Sequence, residues 1–416
     1  MSSNAYDTLK QRGFLAQVTD EDAVRDLLAH ASVSFYIGYD STATSFHAGS
    51  LVPIMAMMHL QRAGHTPVAL VGGGTTMVGD PSGKTEMRQM LSEAQIRANG
   101  ARLHAQLDRY LHLSEGQGIA VDNADWLLSL NYIAFLREIG VHFSVNRMLA
   151  AEAYKQRLER GLSFIEFNYQ LLQAYDYLTL YRRHGCTLQM GGDDQWGNIL
   201  AGVDLIRRVD GATVHAMTFP LLTTASGAKM GKSAGGAIWL DADMLSPYDF
   251  YQYWVNCDDR DVERFLKLFT FLPLDEIARL AALEGADIRA AKQALAFHAT
   301  EITHGTQAAQ DAQAAAQAAF GVAAAGSGGA ALDGMPSTTV ARERLVEGVP
   351  LTTLMAETQL VPSRGQARRL IQQGGAYVND QRISDVNAVV GEADLTPEGI
   401  LLRAGKKRYH RLLVDD

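Results

Sequence analysis

The chain is poor in cysteine and has no long apolar segment. Only two of its 416 residues are cysteines, Cys186 and Cys257, and they lie far apart. This argues against a disulfide framework and a cysteine zinc site, and it is typical of a reducing compartment. No apolar run is long enough for a membrane span, and the first residues, MSSNAYDTLKQRGF, lack the apolar centre of a secretion signal. We therefore expect a cytoplasmic protein without a membrane segment and, since H-E-x-x-H and C-x-x-C motifs are missing, without a bound metal.

Acidic residues outnumber basic ones, but the charge is spread unevenly. The net charge is −9, which by itself argues weakly against a nucleic-acid partner. Residues 363–413, however, contain nine basic and five acidic side chains. In this tail Arg364 and Arg368 share one face of a predicted helix, Arg369 lies beside them, and the predicted strand AYVND follows. A basic helix followed by a strand suits contact with an RNA backbone.

The first half of the chain predicts an α/β fold. Strands are predicted at 34–39, 66–73 and 187–192, and a helix at 51–64 separates the first two. A strand–helix–strand unit implies parallel strands joined by a crossover. Ligands bind at the carboxyl ends of such strands, so we expect the polar motifs that follow them to converge on one site.

The remaining chain predicts further domains. Residues from about 247 to 318 are mostly helical in pattern, and 307–334 are rich first in alanine and then in glycine, which predicts a fraying helix and a linker. We predict four parts: a Rossmann-like catalytic domain over 1–240 with inserted helices at about 125–160, an α-helical domain over 241–320, a flexible linker over 321–340, and a small α+β domain over 341–416.

Three glycine-rich stretches come close to known phosphate-binding motifs. GAKMGKS (227–233) and GDPSGKT (79–85) each miss the P-loop spacing by one residue. GGGTTMVG lacks the glycine that a dinucleotide fingerprint requires, because Met77 occupies that position. Together they favour a nucleotide phosphate site without indicating which stretch forms it.

The stretch FHAGS places a histidine where a strand passes into a helix. Ala48, Gly49 and Ser50 follow His47 and are small, so a flat ligand could lie close to the backbone. The helix N-terminus behind them carries a partial positive charge that suits phosphate. A histidine that merely caps a helix would produce the same pattern, so this stretch alone leaves both interpretations open.

Several motifs in order resemble one family. FHAGS and the downstream KMGKS resemble the paired signatures, HIGH and KMSKS, of class I aminoacyl-tRNA synthetases. The stretches YIGYDSTATSFHAGSLVP, GGGTTMVGDPSGKTEMR, FNYQLLQAYDYLTL and GGDDQWGN sharpen the match to bacterial tyrosyl-tRNA synthetases. The tail resembles the S4-type RNA-binding domain of these enzymes. The resemblance extends over nearly the whole chain.

The resemblance implies a two-step reaction in one site. The carboxylate of L-tyrosine attacks the α-phosphorus of ATP to give tyrosyl-adenylate and pyrophosphate, and the 3'-terminal ribose of tRNA(Tyr) then takes the tyrosyl group. Mg²⁺ accompanies ATP, and no permanently bound cofactor is expected. Family members are homodimers, so we expect a homodimer with its interface in the inserted helices.

Positioning and charge stabilisation around the phosphates would drive this chemistry, without a protein nucleophile. The positions that match the family's catalytic residues are His47, Thr42, Lys84, Arg88, Lys229 and Lys232. The positions that match its ATP contacts are Asp40, His47, Gly49, Ser50, Gly192, Asp194 and Lys232. Three departures stand out: Ser50 replaces the second histidine of the first signature, Ile37 stands where many relatives have cysteine, and Gly231 replaces a serine.

A tyrosine pocket is predicted on one helix. Tyr169, Gln173 and Asp176 are spaced i, i+4 and i+7, so they share a face of an otherwise apolar helix. A solvated stripe on an amphipathic helix would have the same spacing. The resemblance implies that Tyr169, Gln173 and Asp80 hold the substrate ammonium, that Asp176 and Tyr36 bind the phenol, and that Gln195 lies near the substrate.

Three alternatives stay open at this point. A tryptophanyl synthetase is the nearest, although the Tyr36 and Asp176 pair and the S4-like tail argue against it. A non-catalytic RNA-binding relative would be expected to lack the lysines or His47. A P-loop NTPase is disfavoured by the glycine spacing. In the tail, Arg364, Arg368 and Arg369 are the predicted RNA contacts.

Overall fold

The computed structural model of the protein describes residues 4–82, 91–150, 152–159, 161–225, 227, 230–233, 236–321, 335–405 and 408–415. These residues form two units. The first comprises Met1–Asp241 and Asp258–Ala282, and the second comprises Ala242–Cys257 and Leu283–Asp416.

Strands and helices alternate through the first unit, and the second unit begins with helices and ends in strands. The strands are β1 (Ser34–Asp40), β2 (Thr66–Gly72), β3 (Ile119–Asp122), β4 (Cys186–Gly192), β5 (His215–Phe219), β6 (Lys232–Ser233), β7 (Gly236–Ala237), β8 (Ser337–Ala341), β9 (Val349–Pro350), β10 (Ala376–Val378), β11 (Gln381–Ile383), β12 (Val389–Val390), β13 (Ile400–Ala404) and β14 (Arg408–Asp415). The helices are α1 (Ala5–Arg12), α2 (Glu21–His30), α3 (Leu51–Arg62), α4 (Gly73–Thr76), α5 (Glu93–Leu111), α6 (Ala124–Leu127), α7 (Tyr132–Glu138), α8 (Val145–Leu149), α9 (Glu152–Leu158), α10 (Phe164–Phe167), α11 (Tyr169–His184), α12 (Trp196–Val209), α13 (Pro247–Val255), α14 (Val262–Phe269), α15 (Leu274–Ala281), α16 (Ile288–His304), α17 (Thr306–Gly321), α18 (Arg342–Glu347), α19 (Leu351–Glu357) and α20 (Arg364–Gln372). In the described residues no helix is both long and apolar enough to cross a membrane.

A parallel sheet of five strands forms the centre of the first unit. Its strand order is β3-β2-β1-β4-β5, and every neighbouring pair is parallel. The predicted strand–helix–strand unit is β1, α3 and β2, so the Rossmann-like α/β prediction is confirmed. The chain crosses to opposite sides of β1, because β2 lies on one side and β4 on the other. A crevice therefore opens at the carboxyl ends of β1 and β4, where such folds bind ligands.

Helices cover this sheet, which explains the composition of its strands. Six of the seven residues of β2 are buried, as expected for a parallel strand that is covered on both faces. The helices α3 and α5 pack against β2, and α11 and α12 pack against β4. The helix α11, which carries the predicted tyrosine pocket, is thereby held beside the crevice.

The structure divides the region that was predicted as one helical domain over 241–320. The segment with α14 and α15 belongs to the first unit, not to the second. Its anchor is the buried guanidinium of Arg12, which donates hydrogen bonds to the carbonyl oxygens of Lys267, Thr270 and Leu272 at 3.0, 2.9 and 2.6 Å. Those carbonyls lie in the last turn of α14 and directly after it, so one arginine satisfies groups that the end of the helix leaves unpaired.

The second unit contains the predicted helices and the small α+β fold. Its sheet has the order β11-β10-β13-β14-β8, and α20 packs against the β10 strand. The strand β8 pairs in parallel with β14, so this fold begins before the predicted boundary at 341. Part of the predicted linker over 321–340 is therefore a strand, and residues 322–334 lie outside the described residues.

Candidate active site

A cavity of about 670 Å³ lies at the carboxyl ends of β1 and β4. Thirteen of the predicted site residues line it, from β1 and the loop and helical turn that follow it, from the loop after α4, from α11, and from the end of β4 and the turn after it. They are Tyr36, Asp40, Thr42, His47, Gly49, Ser50, Asp80, Tyr169, Gln173, Asp176, Gly192, Asp194 and Gln195. Motifs that are up to about 160 residues apart in sequence thus meet at one site.

Four of the residues predicted to act on ATP are not placed there. Lys84, Arg88 and Lys229 lie outside the described residues, and Lys232 is described only as backbone in β6. Among the side chains that the structure does describe, no group of three or more His, Cys, Asp or Glu residues is arranged to hold a metal ion.

Asp176 lines the cavity, and its side chain is buried, with 2% of the residue exposed. Its two oxygens accept hydrogen bonds from Nδ2 of Asn123 at 2.9 Å and from the indole N–H of Trp126 at 2.7 Å. Burial raises the pKa of Asp176 to about 8, although both hydrogen bonds act in the opposite direction. Sequence reasoning missed Asn123 and Trp126, but their position directly after β3 could have drawn attention to them.

Three buried polar atoms of residues that line the cavity together with Asp176 have no hydrogen-bond partner within the described residues. They are the hydroxyl of Tyr36, Oε1 of Gln173 and Oε1 of Gln189, and all three residues line the cavity. Burial, reinforced by the Asp176 carboxylate, raises the pKa of Tyr36, so its hydroxyl keeps its proton at neutral pH. Leaving such groups unpaired is costly, which indicates that a polar ligand completes them.

A second polar cluster lies where β4 ends. Oδ2 of Asp80 accepts a hydrogen bond from Nε2 of Gln195 at 2.7 Å, and Oδ1 accepts one from the backbone N–H of Ser82. Burial, followed by the charge of Asp80, raises the pKa of Asp194. This side of the cavity is therefore acidic and suits a cation or a ribose hydroxyl.

Tyr169 was predicted to bind tyrosine and Asp40 to bind ATP, and the structure connects the two side chains by a hydrogen bond. The Tyr169 hydroxyl donates to Oδ1 of Asp40 at 3.2 Å, and Oγ1 of Thr75 donates to the same oxygen at 3.0 Å. A Cβ atom at Gly72 would lie 2.6 Å from that oxygen, so the glycine at the end of β2 makes room for the cluster.

His47 does cap a short helix, as the simpler interpretation proposed. Its Nδ1 accepts a hydrogen bond from the backbone N–H of Gly49 at 3.0 Å, at the start of the 3₁₀ turn Ala48–Ser50. In the neutral imidazole the proton must then be on Nε2, which makes Nε2 a hydrogen-bond donor. The capping role and a role in binding an anion are thus compatible.

The two signature stretches touch each other. The backbone N–H of Ala48 donates to the carbonyl of Ile238 at 2.7 Å, and that of Ile238 donates to the carbonyl of Gly231 at 2.9 Å. A Cβ atom at Gly231 would lie 2.6 Å from the backbone nitrogen of Gly49. Residues 227–233 are called the lysine loop below. This loop therefore contacts the first signature at Gly231.

The helix α5 holds the first signature in place from behind. Oε1 of buried Gln106 accepts the backbone N–H of Phe46 at 3.0 Å, and Nδ2 of buried Asn99 donates to the carbonyl of Ser41 at 2.9 Å. Sequence reasoning did not single out either residue, because a lone polar side chain in a long helix carries no recognisable motif.

Comparison with known proteins agrees with this architecture. The family described as tRNA synthetases class I (W and Y) matches residues 28–321, and the family described as tyrosine–tRNA ligase SYY-like C-terminal domain matches residues 329–412. The parallel sheet and the cavity at the ends of β1 and β4 accordingly define a class I tRNA synthetase.

Curated relatives and solved structures show which family within this class the chain belongs to. The tyrosine–tRNA ligase of Clostridium botulinum (strain 657 / Type Ba4) is 53% identical over 412 residues, which are 99% of this chain and 100% of the relative. That of Desulfosudis oleivorans is 54% identical over 428 residues, with 99% of each chain covered. A C-terminally truncated mitochondrial tyrosyl-tRNA synthetase of Aspergillus nidulans superposes with a TM-score of 0.68 at 32% identity, over 75% of this chain and 92% of that one. Within the class, the chain belongs to the tyrosine–tRNA ligase family, as the motifs predicted.

Proposed function

We propose that this chain forms tyrosyl-adenylate and pyrophosphate from L-tyrosine and ATP in the cavity, and then transfers the tyrosyl group to the 3'-terminal ribose of tRNA(Tyr). The observation that carries the proposal is the group of unpaired buried polar atoms in the cavity that Asp176 lines. These atoms are complementary to a polar amino acid, and His47 of the first signature lines the same cavity.

Tyrosine recognition follows from the polar groups around Asp176. The phenol O–H of the substrate donates to Asp176, and its oxygen accepts from the Tyr36 hydroxyl. Asp176 cannot turn away, because Asn123 and Trp126 already hold both of its oxygens. Phenylalanine would leave these buried groups unpaired, a means of discrimination for which this enzyme family is itself the established example.

The ammonium and the adenylate ribose occupy the acidic side of the cavity. Asp80, supported by Gln195, is positioned for the ammonium, together with Tyr169 and Gln173. Asp194 is positioned for the ribose, and Gly192 leaves room for its carboxylate, since a Cβ there would lie 2.6 Å from Oδ1 of Asp194.

Charge stabilisation on the phosphates is assigned to the two signatures. Nε2–H of His47 and the hydroxyl of Thr42 donate to the phosphates, and Lys84, Arg88, Lys229 and Lys232 bring positive charge to the leaving pyrophosphate. Asp40, Gly49 and Ser50 complete the predicted ATP site. Mg²⁺ accompanies ATP and takes oxygen ligands from its phosphates and from water. The reaction then needs only positioning and electrostatic stabilisation.

We also propose a cytoplasmic homodimer. Large apolar side chains are exposed on the inserted helices, including Tyr132 at 58%, Ile133 at 63% and Val141 at 69%. Exposed apolar surface of this kind marks protein interfaces. The measurement is the solution mass: a mass of twice 45.3 kDa that falls to one chain's mass in an Ile133→Asp variant supports the proposal. A wild-type chain that is monomeric at micromolar concentration would contradict it.

The tail is assigned to tRNA binding. Arg364, Arg368 and Arg369 all lie exposed on α20, whose Ser363 cap holds the helix N-terminus. Exposed guanidinium groups on one short helix can contact successive phosphates of an RNA backbone.

Amino-acid-dependent exchange of labelled pyrophosphate into ATP tests the first step without tRNA. Tyrosine, tryptophan and phenylalanine would be compared in parallel, with a Tyr36→Phe variant that removes the hydroxyl but keeps the ring. Exchange with tyrosine alone, weakened in the variant, supports both the adenylation and the pocket. Exchange with tryptophan would overturn the pocket assignment, and no exchange from folded protein would overturn the proposed activity.

A further inference from the structure

Two charged residues at the start of α14 contact the chain just before the lysine loop. Oδ2 of Asp261 accepts a hydrogen bond from the backbone N–H of Ala225 at 2.8 Å. Nη2 of Arg264 donates to the carbonyl oxygen of Thr223 at 2.6 Å, and it also lies 2.6 Å from Oδ1 of Asp261. One carboxylate and one guanidinium thereby join the start of α14 to the backbone of residues 223–225.

The ordinary reasons for an aspartate at this position do not account for Asp261. It is the N-terminal cap residue of α14, but its side chain makes no capping hydrogen bond to that helix. The carboxylate is instead turned to the backbone of Ala225, and the residue is only 2% exposed. Burying a carboxylate is unfavourable unless it is paired and hydrogen-bonded, and here the partners are Arg264 and the loop backbone.

The contacts hold the chain directly before the lysine loop and again within it. Before the loop, Thr223 and Ala225 are held by α14. Within the loop, Gly231 packs against Gly49, and the backbone N–H of Met230 donates to the carbonyl of Leu222 at 3.0 Å. Both lysines of the second signature, at 229 and 232, lie in the sequence between or directly beside these fixed points.

We infer that Asp261 and Arg264 form a clamp that sets the path of the lysine loop for the adenylation step. They are positioning residues, which act through the backbone of 223–225 and not by touching substrate. The inference rests on the proposed function, because the loop is assigned there to the pyrophosphate. Loss of the clamp should then weaken the use of ATP and spare tyrosine binding, which depends on Tyr36 and Asp176.

The chain provides a matched control for this inference. Arg260 and Asp258 form a pair of the same residue types just before α14, with Nε and Nη2 of Arg260 each 2.9 Å from an Asp258 oxygen. Their side chains are 69% and 36% exposed, and both guanidinium hydrogen bonds that the structure describes for Arg260 go to Asp258. An Arg260→Ala variant therefore removes an ion pair of the same segment without removing a contact to 223–225.

Pyrophosphate exchange of the full-length chain would be measured against ATP and tyrosine for Asp261→Asn, Arg264→Ala, Arg264→Lys and Arg260→Ala. Losing a hydrogen bond to a charged group should raise the KM for ATP about tenfold in Asp261→Asn and Arg264→Ala, with the KM for tyrosine unchanged. Arg264→Lys, which keeps one charged donor, should recover part of the loss, and Arg260→Ala should behave as wild type. The Arg264 side chain is 42% exposed, so its variants carry the test even if Asp261→Asn folds poorly.

Two further readouts separate a clamp from a general loss of stability. In a Lys229→Ala background, Asp261→Asn should have little additional effect on ATP use, because the group that the clamp positions is gone; full additivity would overturn the inference. Trypsin cleaves after lysine, so cleavage at 229 and 232 should be faster in Arg264→Ala than in Arg260→Ala. A wild type without exchange would contradict the proposed function, yet the trypsin comparison would still decide on the clamp. Unchanged KM for ATP in an active Arg264→Ala variant, or equal cleavage rates, would overturn it.

Discussion

Gly231 lies against Gly49 so closely that the two signature stretches share one surface. The backbone of Gly231 has a φ of 81°, and a Cβ atom there would lie 2.6 Å from the Gly49 nitrogen and 2.8 Å from Nδ1 of His47. Both the left-handed backbone and the missing side chain are therefore required for this contact. A serine at this position, as in the KMSKS signature, could not adopt the same arrangement without moving the loop.

Gly231→Ala should separate the two signatures and weaken the ATP-dependent step. Gly227 is the matched control, because its φ is also 81° but a Cβ there would have no neighbour within 4 Å. Each alanine should cost about 1–2 kcal/mol of backbone strain. Only Gly231→Ala should also raise the KM for ATP in pyrophosphate exchange, by about tenfold, because only that alanine displaces His47 or Gly49. Equal effects of both substitutions would mean that strain, and not the contact, governs the loop.

Trp126→Phe should weaken the activation of tyrosine without affecting ATP. The substitution keeps an aromatic ring but removes the indole N–H that donates to Asp176 at 2.7 Å. Leaving a buried acceptor unpaired costs about 1–3 kcal/mol, so kcat/KM for tyrosine should fall about tenfold. Trp254→Phe, at a buried tryptophan of the second unit, is the control and should leave exchange unchanged. A rise in the KM for ATP in Trp126→Phe would show that the effect is not confined to the tyrosine pocket.

The burial of Asp176 should make the stability of the protein depend on pH in a definite direction. Its pKa is raised to about 8 in the fold, against about 3.9 in an unfolded chain. Between these values the folded state keeps a proton that the unfolded state has lost, so the contribution of this group becomes less favourable as pH rises. Asp176→Asn removes the titration, and the stability of the variant relative to wild type should therefore increase from about pH 4 to pH 8, by at most about 1.4 kcal/mol per pH unit.

Urea unfolding of both proteins across this pH range measures the difference. The absolute difference also contains the loss of one acceptor, because an asparagine at 176 would turn its amide towards Asn123 or Trp126. Only the pH dependence of the difference in unfolding free energy reports the titration of the Asp176 carboxyl. A difference that stays constant from pH 4 to pH 8 would mean that Asp176 titrates near its ordinary pKa.

Periodicity was sufficient to predict the parallel sheet and one face of α11, and the resemblance of the ordered motifs to a known family predicted most of the other residues that line the cavity. The spacing of Tyr169, Gln173 and Asp176 on α11 places them on one face, and strand ends bring Asp40 and Gly192 to the same crevice. Short local rules such as helix spacing and strand polarity decide these features. These features can therefore be predicted without knowledge of tertiary contacts.

Other parts of the site depend on contacts that no local rule contains. Asn123, Gln106 and Asp261 each bind a backbone or side-chain group more than 30 residues away, and their sequence neighbourhoods carry no distinguishing pattern. The prediction of one helical domain over 241–320 missed the division of this region between the two units for the same reason. Nothing in the sequence of α14 distinguishes packing on the first unit from packing on its helical neighbours in the chain.

The exposed arginines of α20 should affect only the transfer of the tyrosyl group to tRNA, and not the formation of the adenylate. Arg364, Arg368 and Arg369 are exposed, and their removal should weaken tRNA binding while pyrophosphate exchange stays at the wild-type rate. If each contacts one phosphate, the slope of log K against log salt should decrease by about 0.7–0.9 for each arginine replaced by alanine.

A triple alanine variant at exposed arginines of the first unit is the charge-matched control for the tail. Its positions are Arg25, Arg97 and Arg279, whose side chains are 56%, 77% and 74% exposed. Removing equal charge from both places distinguishes a local contact from a general electrostatic attraction, since long-range attraction depends on total charge. The tail variant should lose tRNA affinity and salt slope together, and the control should lose little of either. Equal losses in the two variants would place the RNA contact elsewhere, and a simultaneous loss of exchange in the tail variant would show that the tail also supports the adenylation site.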